Sequence, residues 1–527
     1  MEGKKRVIPG EICMKKSPER GNRSRETSLG RAEVSRGHSS GNVKGRISRS
    51  SNYDRERKSE QMSAENIGST DGFLQGDSAE RKRPVRAHRS FNRIWKERNR
   101  EGPDLLGAIL ERGNLNDAYL KVKANKGAPG VDGMTISATF QWLRSHHQEL
   151  TDRIRRGKYT PQPVRRVEIP KPDGGIRKLG IPTVTDRIIQ QAIAQQLVPI
   201  FEPLFTEDSY AYRPGKSAQD AILKVKEYAE QGYTYAVLLD LSKYFDTLNH
   251  VILVNLLRRE VKDERVIQMV KRYLRSGVME GEVVKETEEG SPQGGNLSPL
   301  LANIYLNEFD QEYRKRGVPC IRYADDIVLL AKSERAAKRL LATSTKYLEG
   351  TLKLKVNQEK SRVVRVFSYH DFKFLGFTLG QMKGKVEIRV HEKSREKFKA
   401  RLRELTSRKF FRSTEKGLQG LKRYAEGWLN YFGIASMKTF IRDIDSWVRR
   451  RVRKRIWLMW KRVRTRIRKL IGLGIPKPKA IKAANSRKGA WRVTRCEPVE
   501  WALSNKRLVE MGYTEMLKLY QSIHINY

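Results

Sequence analysis

Cysteine and long apolar runs are scarce in this chain of 527 residues. Its three cysteines, Cys13, Cys320 and Cys496, lie far apart and form no Cys-x-x-Cys pair. This spacing argues against a disulfide scaffold and against a thiolate zinc site. No run of 18 or more apolar residues occurs, so the sequence predicts no membrane-spanning helix. The first residues lack the apolar segment of a secretory signal, and we expect none.

Acidic residues are outnumbered, 60 Asp and Glu against 107 Lys and Arg, and the formal net charge is +47. So large a charge excludes a typical metabolic enzyme for small neutral substrates and predicts a polyanionic partner, most simply nucleic acid. The excess is uneven: +11 in residues 1–103, +9 in 104–380 and +27 in 381–527. We therefore expect the polyanion to contact mainly the C-terminal part.

Residues 1–103 are rich in Ser, Gly, Arg and Lys and show no hydrophobic period. This composition predicts a basic, mostly disordered N-terminal extension. An organelle transit peptide is the alternative, because Arg- and Ser-rich leaders have a similar composition. Acidic residues recur throughout the first 35 positions, which favours the first interpretation.

Residues 104–527 have the patterns of a folded α+β protein, in which helices interleave with antiparallel strands. An apolar run at 235–239 predicts a strand that ends at Asp240. Thr185 and Ser298 are expected to cap two amphipathic helices. The other predicted elements are a hairpin within 164–179, short strands at 321–323 and 327–330, and helices beyond 392.

Two carboxylate sites stand out from this pattern. Asp240 follows an apolar strand, and Asp325 and Asp326 form the tip of a strand–turn–strand segment. Adjacent carboxylates in a tight turn repel one another, and a divalent cation commonly offsets that repulsion. Three such carboxylates from neighbouring strands would suit two Mg²⁺ ions that stabilise the attacking and leaving oxygens of phosphoryl transfer. The alternative is an ordinary solvated turn.

The order of these motifs resembles that of reverse transcriptases. Residues 323–326, Tyr-Ala-Asp-Asp, come between apolar strands, and Asp325 lies 85 residues after Asp240. Specifically, the chain is similar to group II intron-encoded reverse transcriptase/maturases over residues 104–527. The further segments that carry the resemblance are 125–132, 169–182, 291–300, 354–361, 374–377 (Phe-Leu-Gly-Phe) and 427–432 (Gly-Trp-Leu-Asn-Tyr-Phe).

This resemblance implies the right-hand fold of polymerases, with fingers, a palm whose antiparallel sheet bears the aspartates, and a helical thumb. The implied domains are an N-terminal extension at 1–103, fingers at 104–235, the palm at 236–380, an RNA-binding thumb or maturase domain at 381–475, and a small basic nucleic-acid-binding segment at 476–527.

The resemblance also implies the catalytic groups. Asp240, Asp325 and Asp326 would be the metal ligands for two Mg²⁺ ions, for which Mn²⁺ can substitute. Lys360 would protonate the leaving pyrophosphate as a general acid, although two nearby lysines compete for that role.

Substrate-binding residues follow from the same resemblance. Lys171 and Arg177 would bind the triphosphate, as point charge and bidentate donor respectively; the alternative is a pair of solvated surface charges. Phe245 would exclude the ribose 2′-hydroxyl, unless it only packs in the core. Gln293 and Gly294 precede a helix start, where free N–H groups and a missing Cβ let nucleotide and template approach closely.

Residues 447–462 alternate basic and aromatic side chains, and residues 441–480 hold 15 basic and 2 acidic ones. Such a face can neutralise phosphates while its aromatics pack or stack, and we expect it to grip structured intron RNA. We predict that neutralising several of the arginines at 449–455 reduces the salt dependence of RNA binding. Cys496 has no partner for a zinc-dependent His-Asn-His endonuclease, so we expect no such domain, as in the shorter bacterial relatives.

The sequence therefore predicts an RNA-directed DNA polymerase of a group II intron that also acts as a maturase in splicing and mobility. Expected partners are structured intron RNA, an RNA template, a DNA primer or target and dNTPs, with no membrane. We expect a bacterial cytoplasmic location, with nucleoid association as an option. The alternatives are a non-catalytic RNA-binding splicing factor and a reverse transcriptase recruited for another task.

Overall fold

The computed structural model describes residues 104–170, 176–280, 283–285, 289–291 and 294–525. They belong to one compact unit. The predicted extension at 1–103 and the predicted nucleotide-binding residues Lys171 and Gln293 lie outside the described residues. Within the described ranges, none of the helices combines the length and the apolarity that a membrane crossing requires.

The N-terminal part of the described chain consists of helices around an antiparallel strand pair. The elements are α1 (Leu105–Leu110), α2 (Arg112–Ala124), α3 (Ile136–Arg155), β1 (Val164–Pro170), β2 (Ile176–Ile181), α4 (Val184–Phe201), a 3₁₀ turn at Glu202–Leu204, and α5 (Ala218–Glu230).

The middle part alternates short strands with helices, as the sequence predicts. It contains β3 (Tyr235–Leu239), a 3₁₀ turn at Tyr244–Asp246, α6 (His250–Glu260), α7 (Glu264–Leu274), β4 (Val278–Glu280), β5 (Val283–Lys285), α8 (Ser298–Lys315), β6 (Cys320–Tyr323), β7 (Asp326–Ala331), α9 (Glu334–Gly350), β8 (Arg362–Arg365), β9 (Phe377–Met382) and β10 (Lys385–Val390).

The C-terminal part is helical from residue 392 onward, which confirms the prediction for this region. It contains α10 (Glu392–Leu405), α11 (Thr414–Phe432), α12 (Lys438–Met459), α13 (Val463–Gly472), α14 (Lys477–Ala484), α15 (Ala490–Val493), α16 (Glu497–Ala502), α17 (Asn505–Glu510) and α18 (Met516–His524).

The strands form three sheets. One has the order β2-β1-β4-β5 and includes a parallel β1–β4 pair, and β9 and β10 form a separate antiparallel hairpin. The central sheet has the order β6-β7-β3-β8 and is antiparallel throughout. The prediction of an α+β fold with an antiparallel sheet that bears the aspartates is confirmed.

The central sheet is buried on both faces, which explains why its strands are continuously apolar. Side chains alternate along a strand, so Val237 and Leu329 face one core and Ala236 and Val328 face the other. The first core is shared with α4, α6, α7 and α8, and the second with α5, the β9–β10 hairpin and the C-terminal helices.

Two predicted helix caps are wrong by one or two residues. Thr183, not Thr185, caps α4, because its side chain accepts a hydrogen bond from the Asp186 N–H. Ser298 is the first residue of α8, with Leu297 at the cap position and Pro299 second. In both cases the sequence has a hydroxyl residue close to the predicted start of the helix. The helical backbone begins one or two residues earlier than the apolar period indicates.

Candidate active site

The structure brings the three predicted catalytic aspartates together at one edge of the central sheet. In the antiparallel β3–β7 pair, Leu239 lies opposite Ile327, so the next residue of β3, Asp240, lies beside Asp326. Tyr323 and Asp326 pair across the β6–β7 hairpin, which leaves Ala324 and Asp325 as its two-residue tip.

The charges at this edge of the sheet act on one another. Asp326 is exposed as a residue, but protein atoms crowd its carboxylate, and this desolvation raises its pKa to about 6. The negative charges of Asp325 and Asp240 add to the rise, while Lys373 opposes it. The desolvation and the neighbouring negative charges therefore disfavour ionisation of Asp326 unless positive charge is supplied.

The donor chemistry of this site fits Mg²⁺, a hard cation that prefers oxygen ligands. Mg²⁺ keeps several waters and is bound through one or two carboxylates plus substrate phosphates, so a complete protein cage is not expected. In the described part of the chain, no group of three or more His, Cys, Asp or Glu side chains is arranged to hold a metal ion by itself.

A buried arginine, which the sequence reasoning missed, supports the aspartate hairpin through hydrogen bonds. Arg322 is 1 % exposed and pairs with Asp310 at 2.7 Å. Its guanidinium also donates to Asn303 Oδ1 at 2.8 Å, to Ser209 Oγ at 2.7 Å and to the Ala324 carbonyl at 3.2 Å. The last contact holds the hairpin tip, where Ala324 has the left-handed φ of +58°. A charged residue inside an apolar strand was the available signal for this role.

Lys360, the predicted general acid, lies beside the aspartates. Its Nζ is 3.7 Å from Asp240 Oδ2, and its side chain is 62 % exposed. Neighbouring Ser361 accepts a hydrogen bond from the Asp240 N–H at 3.1 Å, and Asn357 N–H donates to the Asp240 carbonyl at 2.8 Å. The segment 354–361 therefore fixes the end of β3, and both Asp240 and Lys360 line an open cleft of about 460 Å³.

Phe245 lies in a tight turn that begins just after Asp240. Lys243 has a φ of +51°, and the following 3₁₀ turn directs Tyr244 into the core, where its hydroxyl donates to the Ala302 carbonyl at 2.7 Å. Phe245 itself is half-buried, 5.3 Å from the Tyr244 ring, and its carbonyl accepts from Ser291 N–H at 2.6 Å. Part of the Phe245 side chain is accessible, so its role in sugar selection stays a prediction.

The described nucleotide-binding candidates lie on the β2 side of the site. Gly294 has a φ of +120°, and a Cβ there would lie 2.5 Å from the Gly180 carbonyl of β2, so only glycine fits. Arg177 is exposed on β2. It acts electrostatically on Tyr212, whose pKa is raised by burial and then by the charge of Asp325. Tyr212, which the sequence reasoning missed, is thus near enough to Arg177 and to Asp325 for both charges to affect its pKa.

The Phe-Leu-Gly-Phe and Gly-Trp-Leu-Asn-Tyr-Phe motifs pack against each other. Residues 374–377 form a tight turn in which Gly376 has a φ of +84° and would, with a Cβ, contact the Phe432 ring at 3.1 Å. Tyr431 donates to the Leu375 carbonyl at 3.1 Å and stacks on Phe377 at 5.6 Å. Burial raises the pKa of Tyr431 to about 12, with a contribution from Asp326. The helical region is thereby anchored next to the aspartates.

The basic run that we expect to grip RNA takes part in the packing of α12. None of the residues 449–455 is exposed. Arg451 donates to Thr406 Oγ1 at 2.6 Å, Arg453 to the Leu503 carbonyl at 2.7 Å and Arg455 to the Phe411 carbonyl at 3.1 Å. Arg450 stacks on Trp491 at 3.8 Å. Packing thus buries Arg453 and half-buries the other cations of this run, which the charge density of the sequence could not reveal.

Two protein-family models match parts of the chain. Residues 169–379 match the family "Reverse transcriptase (RNA-dependent DNA polymerase)", and residues 395–471 match "Group II intron, maturase-specific domain". The chain belongs to the reverse transcriptase family. Its second domain is that of group II intron maturases, so the prediction of a reverse transcriptase/maturase is confirmed.

Two curated relatives illustrate the similarity. Protein YkfC of Escherichia coli K12 is 35% identical over 327 residues, which cover 54% of this chain and 85% of that protein. Group II intron-encoded protein LtrA of Lactococcus lactis subsp. cremoris is 29% identical over 328 residues, 50% of this chain and 54% of that protein. A chain of a solved partial Cas6-RT-Cas1–Cas2 complex is 22% identical, with a TM-score of 0.31, over 47% of this chain and 43% of that one.

Proposed function

We propose that this protein extends a DNA primer on an RNA template and that it also binds the group II intron RNA that it helps to splice and mobilise. The observation that carries the proposal is the convergence of Asp240, Asp325 and Asp326 at one sheet edge, beside an open cleft. Three carboxylates held close together are the donor set that two-metal nucleotidyl transfer requires.

Each residue of the site has a role in this reaction. When bound by the three aspartates, two Mg²⁺ ions supply charge neutralisation at the reacting phosphate and at the primer 3′-oxygen. Arg177, with Lys171, binds the triphosphate, and Gly294 lets the nucleotide approach the backbone closely. Phe245 excludes a 2′-hydroxyl by filling the space beside the sugar. Lys360 holds a proton on Nζ near the position of the leaving pyrophosphate.

The domain assignment belongs to the same proposal. Fingers at 104–235 include the β1–β2 pair, and the palm at 236–380 includes the central sheet apart from Tyr235, the first residue of β3. The thumb or maturase domain at 381–475 includes α10 to α13. Residues 476–527 form a small C-terminal nucleic-acid-binding segment. We place the protein in the bacterial cytoplasm, where intron RNA and target DNA are both accessible.

Primer extension on an RNA template with dNTPs and Mg²⁺ tests the polymerase. Asp325→Asn should abolish extension, because it removes one carboxylate charge from the metal-binding edge, while leaving the binding of structured RNA nearly unchanged. Asp443→Asn is the matched control, since it neutralises an exposed carboxylate on α12 outside the cleft, and it should extend primers like the wild type.

Two other results of this experiment would contradict the proposal. Equal loss of extension and of RNA binding in Asp325→Asn would mean that the aspartate is structural. Absence of extension by the wild type, together with tight binding to structured RNA, would favour the non-catalytic splicing factor.

A further inference from the structure

A second large groove lies away from the catalytic cleft, with a volume of about 830 Å³. It runs between the β9–β10 hairpin, the beginning of α12 and the C-terminal helix α18, and it shares no lining residue with the cleft that contains Asp240 and Lys360. Arg395 and residues 436–440 of its lining fall within the range that matches the maturase-specific domain, but no lining residue belongs to a motif that the sequence analysis singled out.

The wall on the α18 side is held rigidly. Tyr520 donates a hydrogen bond to the Ala435 carbonyl at 2.9 Å and accepts one from the Met437 N–H at 3.2 Å. His524 donates from Nδ1 to the Gly433 carbonyl at 2.8 Å, and its ring stacks on Tyr520 at 5.0 Å. A groove with a fixed wall can bind a ligand without first paying the entropy of ordering.

The opposite wall combines flat apolar surfaces with a cation. The Arg395 guanidinium lies 4.3 Å from the centre of the Phe440 ring and donates to Tyr369 Oη at 3.0 Å. That hydrogen bond uses one of the five N–H groups of the guanidinium, and the others have no hydrogen-bond partner among the described residues. Phe440 and Tyr369 are each half-buried, so part of both rings faces the groove.

The groove has an excess of positive charge. Lys438 is exposed and has no ion-pair partner within the described ranges, and Arg395 has none either. The one acidic lining residue, Glu387, is paired with Arg389 at 3.4 Å. Cations beside flat rings are the combination that binds single-stranded nucleic acid, whose bases have free faces, whereas duplexes hide theirs.

We propose that this groove binds a single-stranded nucleotide segment, with a base stacked on Phe440 and Tyr369 and its phosphates at Arg395 and Lys438. The inference rests on the proposed RNA-binding function and adds a site for it outside the polymerase cleft. Single-stranded RNA and single-stranded DNA share this chemistry, so the test includes both.

The test measures binding of fluorescein-labelled U12 and dT12 to the full-length protein by fluorescence anisotropy across a KCl series. Phe440→Leu, which keeps apolar volume but removes the ring, should weaken binding about fivefold or more, because stacking is lost. Lys438→Gln with Arg395→Gln should reduce the slope of log affinity against log salt by about 1.4, about 0.7 for each phosphate contact.

Matched controls lie on the same helical region but outside the groove. Phe410→Leu replaces a partly exposed ring, and Lys416→Gln with Arg423→Gln removes two exposed charges from α11. These variants should bind U12 like the wild type. Equal weakening in the groove variants and the controls would overturn the proposal, as would displacement of U12 by poly-glutamate as efficient as displacement by unlabelled U12.

Crosslinking keeps the proposal testable if a variant misfolds. U12 that contains 4-thiouridine, irradiated with the wild-type protein, should label peptides that include Tyr369 or Phe440; labelling confined to other segments would refute the site. If U12 binds and dT12 does not, the ligand of the groove is single-stranded RNA. If both bind equally, the groove accepts single-stranded RNA and single-stranded DNA. These binding and crosslinking measurements use no dNTPs, so their results do not depend on whether the protein extends a primer.

Discussion

At the scale of single residues, the site depends on side chains with very different sequence signals. Asp325 and Asp326 stand out because they interrupt two apolar strands. Arg322 lies within β6, three residues before Asp325, yet its role appears only when Asp310 and Asn303 of α8 are seen around it. The carboxylates were predictable from their motif, whereas the support of the hairpin was not.

Phe245→Ala should let the protein incorporate ribonucleotides. Removing the half-buried ring opens space next to the sugar, and pockets that differ by a small group discriminate by about 10–200-fold. Single-nucleotide addition of UTP against dTTP measures this preference. Phe245→Tyr keeps a bulky ring and should stay selective for deoxynucleotides. An unchanged preference in Phe245→Ala would leave Phe245 with a packing role only.

Arg322→Met should destabilise the fold by about 3–5 kcal/mol, because it leaves Asp310 buried and unpaired. Adding Asp310→Leu to Arg322→Met should recover much of the loss, since both charges are then replaced by apolar groups. Urea unfolding followed by circular dichroism gives these values. Arg314→Met, on the exposed side of α8, should change stability by less than about 0.5 kcal/mol. A loss as small in Arg322→Met as in that control would contradict the supporting role.

At the scale of elements, the sequence predicted the bounds of the strands better than it predicted which strands pair with each other. The run at 235–239 is β3 with the same bounds, and the apolar segment at 327–330 lies within β7. The β3–β7 pairing and its register, which bring Asp240 to Asp326, depend on contacts between residues about 90 positions apart. The helix caps moved because a cap is fixed by backbone geometry and not by residue type alone.

The cap of α10 gives a pH-dependent prediction. His391 Nδ1 accepts a hydrogen bond from the Lys393 N–H at 3.2 Å, and burial, with a smaller effect from Lys373, lowers the pKa of His391 below 6.5. The neutral ring is therefore favoured in the folded protein. Its contribution to stability is complete above pH 6.5 and is lost as the pH falls through 6.5 towards the lower pKa of the folded state.

His391→Asn keeps a cap acceptor that does not titrate. Between pH 7.5 and pH 5, its melting temperature should therefore fall less than that of the wild type. His370→Asn, at a neighbouring exposed histidine, provides the comparison. If His391→Asn and the wild type lose the same stability on acidification, His391 is not the titrating group.

At the scale of the whole molecule, the net charge of +47 predicts nucleic-acid binding correctly as a class but does not place the contacts. Part of the C-terminal excess of positive charge is used in packing, where Arg453 and Arg455 on α12 donate to backbone carbonyls of the segments that connect other helices. The exposed cations lie elsewhere, for example at Arg464 and Arg468 on α13.

The two kinds of arginine should therefore respond differently to neutralisation. Arg453→Met should cost about 1.5–3 kcal/mol of stability, because two hydrogen bonds of a buried guanidinium are lost. Arg464→Gln with Arg468→Gln should preserve the melting temperature and reduce the salt slope of RNA binding. Thermal unfolding and anisotropy on structured RNA separate the two effects. A reduced slope with unchanged stability in Arg453→Met would support our original prediction for the 449–455 run.

The sequence by itself determined the class of the protein, because composition and short motifs depend on residue type and on neighbours within a few positions. It also determined the strands and the aspartate hairpin, whose apolar periods are local. Only the tertiary structure decided that Asp240 lies beside Asp326, that Arg322 holds the hairpin, and that several arginines of α12 donate hydrogen bonds to neighbouring segments. Each of these outcomes pairs residues that are far apart in the sequence. The packing of the whole chain decides which distant segment pairs with a buried charge or with the hydrogen-bonding edge of a strand.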